Sequence, residues 1–421
     1  MACPQSYSQL PLAMNCSSPL VSAHDQLEVT FQLNRMQSVH RWYPYVEGFS
    51  GRFVSGILDE LRVMRGRVFD PFGGCGTTAV EASLRGLDSL SVDVNPFMCF
   101  VADTKSRLSY SIRRIDYWLR HLRELVREFG KNGLPAGIIN PVFSDKPYFS
   151  KEALPKVAFL KWKIGLIRDS ATRDFFLLAL AAILVRVSNL KRAPDLKYRD
   201  KTEELPDPFG TFFEAAVKMR EDVARIPEEG LGKATIICDN MKSPRALFAQ
   251  SLLTCDIAIT SPPYLNGTNY CRNTKIEQWV LDFISTKDDL ARLRRQTITA
   301  GINSVQMSKS KVTRFERVNK IVERIDAAPY DRRIPVMVAS YFQDMSDAMQ
   351  NIYRMLRGGS YFVMVIGDSF FGDTYIPTDE ILSEIGNFAG FQTIQMRTVR
   401  ARKSRSGYPL RETVMITRKV E

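Results

Sequence analysis

Short runs of β-branched and apolar residues alternate along the chain with longer segments in which apolar residues recur at helical spacing. Seven runs predict strands, at residues 68–70, 90–94, 235–238, 256–260, 361–366, 391–399 and 413–417. The last two follow each other closely and predict a terminal hairpin. Strands separated by helical segments are typical of a mainly parallel sheet, so the pattern predicts an α/β fold.

The spacing of the predicted strands indicates two insertions. About 140 residues separate the second strand from the third, where one crossover helix needs roughly a dozen. Residues 175–185 predict a buried helix, and a second helix ahead of Gly130 is predicted by Ile115, Trp118, Leu119, Leu122, Leu125, Val126 and Phe129. We expect a main domain formed by residues 36–105, 230–284 and 336–421, a helical insert at 106–229, a basic insert at 285–335 and a loose N-terminal segment at 1–35.

The composition excludes several classes of protein. The 421 residues are 45% apolar and 25% charged, as in ordinary globular proteins. The longest apolar run, 175–185, is far shorter than the ~20 residues that span a membrane, and the first residues do not have the pattern of a secretory signal. The 7 cysteines form no CxxC pair and only 3 histidines occur, so we expect no metal site and no disulfide framework. These observations favour a cytoplasmic protein.

The positive charge is concentrated in two stretches. The chain carries 58 Lys and Arg against 46 Asp and Glu, a net charge of +12. Residues 291–333 hold 11 basic and 4 acidic side chains, and residues 397–419 hold 8 and 1, so that each stretch has a local charge of +7. A solvated surface is one interpretation of such runs, and a nucleic-acid partner is the other.

A glycine-rich loop follows the first predicted strand. The strand ends at Asp70, and Gly73, Gly74 and Gly76 precede a helix predicted to begin near Thr77. Such a loop lets a ligand approach the backbone, and the helix N-terminus offers free N–H groups. Asp93 ends the next strand, where nucleotide-binding α/β folds place an acid on the ribose hydroxyls.

The residues around this loop favour one class of nucleotide cofactor. The dinucleotide fingerprint does not fit the residues after Gly76, and the loop lacks the lysine of a P-loop. Asp70 would repel a pyrophosphate but can bind an ammonium group. This suits S-adenosyl-L-methionine, which is cationic at its amine and at its sulfonium.

The sharpest motif is Ser261-Pro262-Pro263-Tyr264, directly after the predicted strand 256–260. Two consecutive prolines cannot continue a strand and produce a rigid loop at the carboxyl edge of the sheet. A proline-terminated strand with a packing tyrosine is the alternative interpretation.

With these motifs the sequence resembles the amino-methyltransferases that methylate exocyclic amines of DNA bases. Their glycine motif is matched by residues 70–76 and their catalytic motif by Ser261, Pro262, Pro263 and Tyr264. Weaker similarities are the segment 40–53, which contains Tyr45 and would cover the methionine end of the cofactor, and the third-strand acid Asp239. The resemblance extends over about 40–103 and 235–418, and a first-position serine resembles the cytosine-N4 subgroup.

The resemblance implies a class I methyltransferase fold, with a seven-stranded, mostly parallel sheet and helices on both faces. The implied cofactor is S-adenosyl-L-methionine, and the implied partners are double-stranded DNA and a cognate restriction endonuclease. The residues expected to bind the cofactor are Tyr45, Asp70, Pro71, Phe72, Gly73, Gly74, Gly76, Thr77, Thr78, Asp93, Asn95 and Asp239. DNA contacts are expected at Asn266, Arg402, Lys403 and Arg405, for which a plain loop or a solvated hairpin tip is the alternative.

The chemistry of an exocyclic amine requires groups like those in this motif. The amine is a poor nucleophile because its lone pair is delocalised into the base, and acceptors at its two hydrogens make the nitrogen more tetrahedral. The Ser261 hydroxyl and the Pro262 carbonyl are the candidate acceptors, and Tyr264 can stack on a flipped base. Methylation of adenine N6, methylation of an RNA base and a non-catalytic DNA-binding role are the alternatives.

Overall fold

The computed structural model describes residues 29–45, 47–131, 133–193, 195–200, 203–249, 254–265, 270–404 and 407–421. Its strands are β1 (Arg67–Asp70), β2 (Asp88–Asp93), β3 (Leu190–Ala193), β4 (Asp195–Tyr198), β5 (Ala234–Cys238), β6 (Cys255–Thr260), β7 (Leu356–Gly367), β8 (Ser369–Phe371), β9 (Thr374–Ile376), β10 (Phe391–Lys403) and β11 (Pro409–Lys419).

The helices, in chain order, are α1 (Gly51–Glu60), α2 (Thr77–Leu84), α3 (Pro96–Ser106), α4 (Ile112–Val126), α5 (Ala153–Gly165), α6 (Ser170–Leu184), α7 (Pro208–Val223), α8 (Arg245–Ala249), α9 (Tyr270–Asn273), α10 (Lys275–Val280), α11 (Lys287–Gln296), α12 (Glu316–Ala327), α13 (Arg333–Met355) and α14 (Thr378–Ala389). Single 3-10 turns lie at Phe31–Arg35, His40–Trp42, Pro141–Phe143 and Ile302–Ser304. In the described part of the chain, no helix is both long enough and apolar enough to cross a membrane.

Seven strands form one sheet in the order β10-β11-β7-β6-β1-β2-β5. Neighbouring strands from β7 through β5 pair in parallel, whereas β11 is antiparallel to both β7 and β10. This order, in which the antiparallel strand β11 lies between β7 and the edge strand β10, is that of the class I methyltransferase fold. The predicted fold class is confirmed, and each of the seven predicted runs coincides with one of these strands, except that Val94 of the run 90–94 lies just after β2.

Both faces of the sheet are buried at its central strands β6 and β7, which explains why these strands are mainly apolar without alternation. Consecutive residues of β7 belong to different cores: Phe362 and Met364 pack with α13 and α14, and Val363 and Val365 pack with α1. Side chains of a strand point alternately to its two faces, so each face needs its own apolar set. Helices therefore cover the sheet on both sides.

The segment 106–229 contains the two predicted helices, as α4 and α6, together with α5, α7 and the antiparallel hairpin β3–β4. The helix α4 ends at Val126, whereas the apolar spacing extended it to Phe129. The hairpin was not predicted, because strands of four residues leave almost no periodic signal. These helices share a continuous core with α3 and with Trp42 and Tyr43 of the main domain.

A buried carboxylate ties this segment to the chain ahead of α1. Asp222 on α7 accepts hydrogen bonds from the backbone N–H of Val39, the indole of Trp42 and the guanidinium of Arg41, at 2.7–3.1 Å. Its side chain is fully buried. The contact fixes the segment that leads to Tyr45.

The N-terminal segment was predicted to be loose over residues 1–35, and residues 1–28 lie outside the described residues. Residues 29–35 pack against the main domain. Phe31 is buried, and the amide of buried Asn34 donates to the carbonyl of Phe49 at 3.0 Å and accepts from the N–H of Gly51 at 2.9 Å. An unpatterned polar sequence does not reveal such a side-chain anchor.

Candidate active site

A pocket opens where β1, β2, β5 and β6 end at the carboxyl edge of the sheet. It is lined by the glycine loop after β1, by Asp93 after β2, by Asp239 after β5, and by Ser261 and Pro263 after β6. Ligands in open α/β sheets bind outside the carboxyl ends of the strands. The four motifs that the sequence placed at strand ends therefore meet in one cavity.

The glycine loop is shaped by contacts that exclude larger residues. Gly76 has φ +79°, and a Cβ there would lie 2.8 Å from the Cα of Ala102 on α3. A side chain at this position would both strain the backbone and clash with a helix that cannot move aside. The loop is fastened to β2, since the N–H of Gly73 donates to the carbonyl of Val92 at 2.8 Å.

Asp93 connects the glycine loop to β2 and α3. Its carboxylate accepts the N–H of Gly74 at 2.9 Å on one oxygen and the N–H of Asn95 at 2.8 Å on the other. Burial raises the pKa of Asp93 from 3.8 to about 6, against the lowering effect of these donors. Burial destabilises the ionised form of this carboxyl, and a cation bound nearby would stabilise that form.

Asp70 is held at the end of β1 by two hydroxyls. Thr260 donates to its carboxylate at 2.6 Å and Thr78 at 2.7 Å, and the N–H of Phe72 donates at 3.1 Å. Burial raises the pKa of Asp70 to about 6. Asp70 is therefore a second buried carboxyl at the pocket, oriented by groups that only donate to it.

Most of the residues predicted to bind the cofactor line this pocket: Tyr45, Asp70, Pro71, Phe72, Gly73, Gly74, Thr77, Asp93, Asn95 and Asp239. Gly76 and Thr78 are not among the lining residues, and they support the loop instead through α3 and Asp70. Asn95 has a structural task as well, because its amide donates to the hydroxyl of Thr274 at 3.0 Å.

The predicted catalytic loop divides between the pocket and its rim. Ser261 and Pro263 line the pocket, whereas Pro262 and Tyr264 are not among the lining residues. The Tyr264 hydroxyl donates to Glu412 on β11 at 2.9 Å. The ring lies over Gly367, where a Cβ would come within 3.1 Å of it. The absence of a side chain at Gly367 thus makes room for Tyr264.

Of the predicted DNA contacts, Asn266 and Arg405 lie outside the described residues. Arg402 is half-buried, and its guanidinium lies 2.9 Å from the position that a Cβ of Gly367 would take, beside Tyr264. Lys403 is exposed. The end of β10 therefore lies beside the catalytic loop, at the same edge of the sheet.

Aromatic side chains lie next to these basic residues. Tyr408 stacks on Phe370 with 5.0 Å between ring centroids and lies at the same distance from Tyr375. Tyr408 is 41% exposed. Its carbonyl accepts the N–H of Ser404 at 2.7 Å, which closes the hairpin tip that presents the ring.

One wall of the pocket is formed by residues outside the motifs recognised in the sequence. Gln296, Thr297, Ile298, Ala300, Gly301 and Ser304 line it, together with Lys242 next to Asp239. This stretch belongs to the predicted basic insert, for whose charge a solvated surface and a nucleic-acid partner were the two interpretations. The available signal was the interval 296–308, which is uncharged within an otherwise basic run.

The pocket fits a cationic nucleoside cofactor. Among the described residues, its lining includes the carboxylates Glu47, Asp70, Asp93 and Asp239 and one ammonium group, that of Lys242. Lys242 is engaged elsewhere, since its Nζ donates to the Thr297 carbonyl at 2.6 Å. Carboxylates with backbone donors beside them can bind an amine and sugar hydroxyls together.

Three type II methyltransferases are similar to the chain over most of its length. M.BsoBI of Geobacillus stearothermophilus is 23% identical over 90% of this chain and 83% of its own. M.AvaI of Anabaena variabilis is 23% identical, with coverages of 86% and 81%, and M.MvaI of Kocuria varians is 22% identical, with coverages of 84% and 82%. No family model matches the chain.

Proposed function

We propose that this chain, an S-adenosylmethionine-dependent methyltransferase related to the type II enzymes, methylates the exocyclic N4 amine of cytosine in duplex DNA. The observation that carries the proposal is the convergence of the Ser261–Pro263 loop and the acidic glycine-loop pocket on one cavity. A methyl donor bound at the glycine loop would therefore lie next to an amine bound at the Ser261–Pro263 loop.

The cofactor residues in this proposal have separable tasks. Asp70 faces the cationic amine, Asp93 accepts from the ribose hydroxyls, and Asp239 lies at the adenine end. When bound, S-adenosylmethionine supplies a methyl group activated by its sulfonium. The buried carboxylates favour this cation over a pyrophosphate cofactor, because a second anion beside Asp70 and Asp93 would be repelled.

The residues of the catalytic loop act on the amine. In the proposed arrangement the Ser261 hydroxyl and the Pro262 carbonyl accept its two hydrogens and draw the nitrogen lone pair out of conjugation. These acceptors stabilise the positive charge that develops on nitrogen as the new bond to carbon forms and the bond from that carbon to sulfur breaks; the nitrogen then releases one of its two hydrogens to solvent as a proton. Tyr264 stacks on the extruded base, and Gly367 and Glu412 hold its ring in place.

Charge and shape around the pocket support duplex DNA as the substrate. Arg402 and Lys403 at the end of β10 can meet phosphates, and the exposed ring of Tyr408 can contact bases or sugars beside the target. The relationship to type II methyltransferases supports a restriction–modification setting with a cognate endonuclease. The first-position serine supports cytosine rather than adenine as the target base.

The methylated base can be identified by digesting the product DNA to nucleosides and measuring their masses by mass spectrometry. N4-methylcytosine is the expected product, N6-methyladenine would overturn the base assignment, and methylation of RNA alone would overturn the duplex DNA assignment.

Ser261→Ala should bind cofactor and DNA normally but slow single-turnover methylation about a hundredfold, the scale for one lost preorganised contact. A wild-type single-turnover rate in Ser261→Ala would remove the loop from the mechanism.

A further inference from the structure

The helix α13 is hydrogen-bonded to both segments that form this wall of the pocket, the segment after α11 and the loop after β5. Asp344 and Asn351 lie two turns apart on α13, and so on one face of the helix. The Asn351 amide donates to the carbonyl of Met241 at 2.8 Å, on the loop that follows β5. The Asp344 carboxylate accepts from the segment that follows α11.

Asp344 is a buried carboxylate whose two oxygens are both engaged. One oxygen accepts the N–H of Thr299 at 3.0 Å and its hydroxyl at 2.7 Å, and the other accepts from Lys309 Nζ at 3.0 Å. Lys242 Nζ lies 3.5 Å away and donates more closely to the carbonyl of Thr297. Asp344 is 4% exposed, so its contacts with Thr299 are shielded from water, whereas Lys309 reaches it from a partly exposed position.

The same contacts decide which side chains face the pocket. Thr299 turns its N–H and hydroxyl to Asp344, while its neighbours Ile298 and Ala300 line the pocket. Loss of the carboxylate would leave Lys242, Lys309 and Thr299 without their common partner. The segment 296–301 would then no longer be held against the loop that contains Lys242.

We propose that Asp344 is a positioning residue which, with its charge balanced by Lys309, holds the segment 296–301 through Thr299 and Lys242 as a wall of the cofactor site. This rests on the proposed placement of S-adenosylmethionine in the pocket. The basic insert then has a task that its charge does not reveal: it closes the cofactor site. Because the contacts of Asp344 do not involve the target amine or the catalytic loop, their loss affects cofactor affinity and not the chemical step at saturating cofactor.

Two lysines of the insert give a matched test. Lys309 pairs with Asp344, and Lys311, two residues later, pairs with Asp326 on the surface at 2.7 Å. Both side chains are partly exposed, so neither alanine variant should fail to fold. Titration calorimetry with S-adenosylmethionine should show Lys309→Ala binding about tenfold more weakly, the scale of one lost charged hydrogen bond. Lys311→Ala should bind like the wild type.

Further measurements separate positioning from a general loss of stability. Lys309→Arg should restore affinity, and Lys309→Ala should add nothing in an Asp344→Asn background, because the two act through one contact. The single-turnover rate at saturating cofactor should stay within about twofold of wild type. Equal affinities for Lys309→Ala and Lys311→Ala, or a slower chemical step with unchanged affinity, would overturn the proposal. A wild-type protein that does not bind S-adenosylmethionine would instead overturn the cofactor placement.

Discussion

Lowering the pH from 7 to 5 should weaken S-adenosylmethionine binding, because two carboxyls of the pocket must be ionised, one to face the cationic amine and the other to accept from the ribose hydroxyls. Burial raises the pKa of Asp70 and of Asp93 from 3.8 to about 6. The cationic cofactor favours their ionised forms, so its binding releases the protons that the free pocket holds below pH 6.

The size of the effect follows from these values. At pH 5 a carboxyl with a pKa of about 6 is ionised in roughly one molecule in ten. The Kd should therefore rise about tenfold between pH 7 and pH 5 if one carboxylate meets the cofactor, and up to about a hundredfold if both do.

In the free protein these two carboxyls should contribute the opposite trend to stability. The native state keeps these two protons up to a pKa of about 6, whereas the unfolded chain releases them near 3.8. The contribution of these carboxyls to the free energy of unfolding therefore falls as the pH rises from about 4 to about 6. Between about pH 5 and pH 6 the affinity therefore rises while this contribution to stability falls, which separates a site effect from acid unfolding.

Calorimetry in two buffers of different ionisation enthalpy measures both the Kd and the protons released. Asp93→Asn should weaken binding at pH 7 by about 1–3 kcal/mol and reduce the pH dependence, because its amide cannot accept both backbone N–H groups. Asp88→Asn, an exposed carboxylate at the other end of β2, is the control and should leave both unchanged. A Kd that is constant from pH 5 to pH 7, without proton release, would refute the assignment of these carboxylates to the cofactor.

Other variants test the remaining parts of the site. Tyr264→Ala should weaken capture of the extruded base by about 1–3 kcal/mol of stacking, with partial rescue by a mispaired target, as measured by fluorescence of a reporter base. Arg402→Gln with Lys403→Gln should lower affinity for all DNA sequences alike and reduce the salt slope by about 0.9 per lost phosphate contact; an unchanged slope would mean that the tip does not meet DNA. Asp222→Asn should lower the free energy of unfolding by about 3 kcal/mol in denaturant titrations, because it leaves Arg41 without its buried partner. An unchanged denaturation midpoint would contradict that role.

The sequence by itself determined the sheet and the motifs at its edge. Strands with both faces buried are apolar throughout, and parallel strands bring their carboxyl ends to the same side. For that reason Asp70, Asp93 and Ser261, each the last residue of a strand or next to it, could be predicted to converge. The glycine loop could also be predicted, because a loop of this kind needs glycine at particular positions of the local sequence.

Only the tertiary structure decided which distant residues complete the site. Thr299 and Asp344 are 45 residues apart, and Arg41 and Asp222 are 181 apart. Asp344 interrupts an apolar helix without a local signal for its partner, and Gly367 has no signal for the ring that it admits. The periodicity of apolar residues indicates whether a position faces a core or solvent. Which groups meet there depends on the path of the whole chain, so the wall built from the basic insert emerged only from the folded structure.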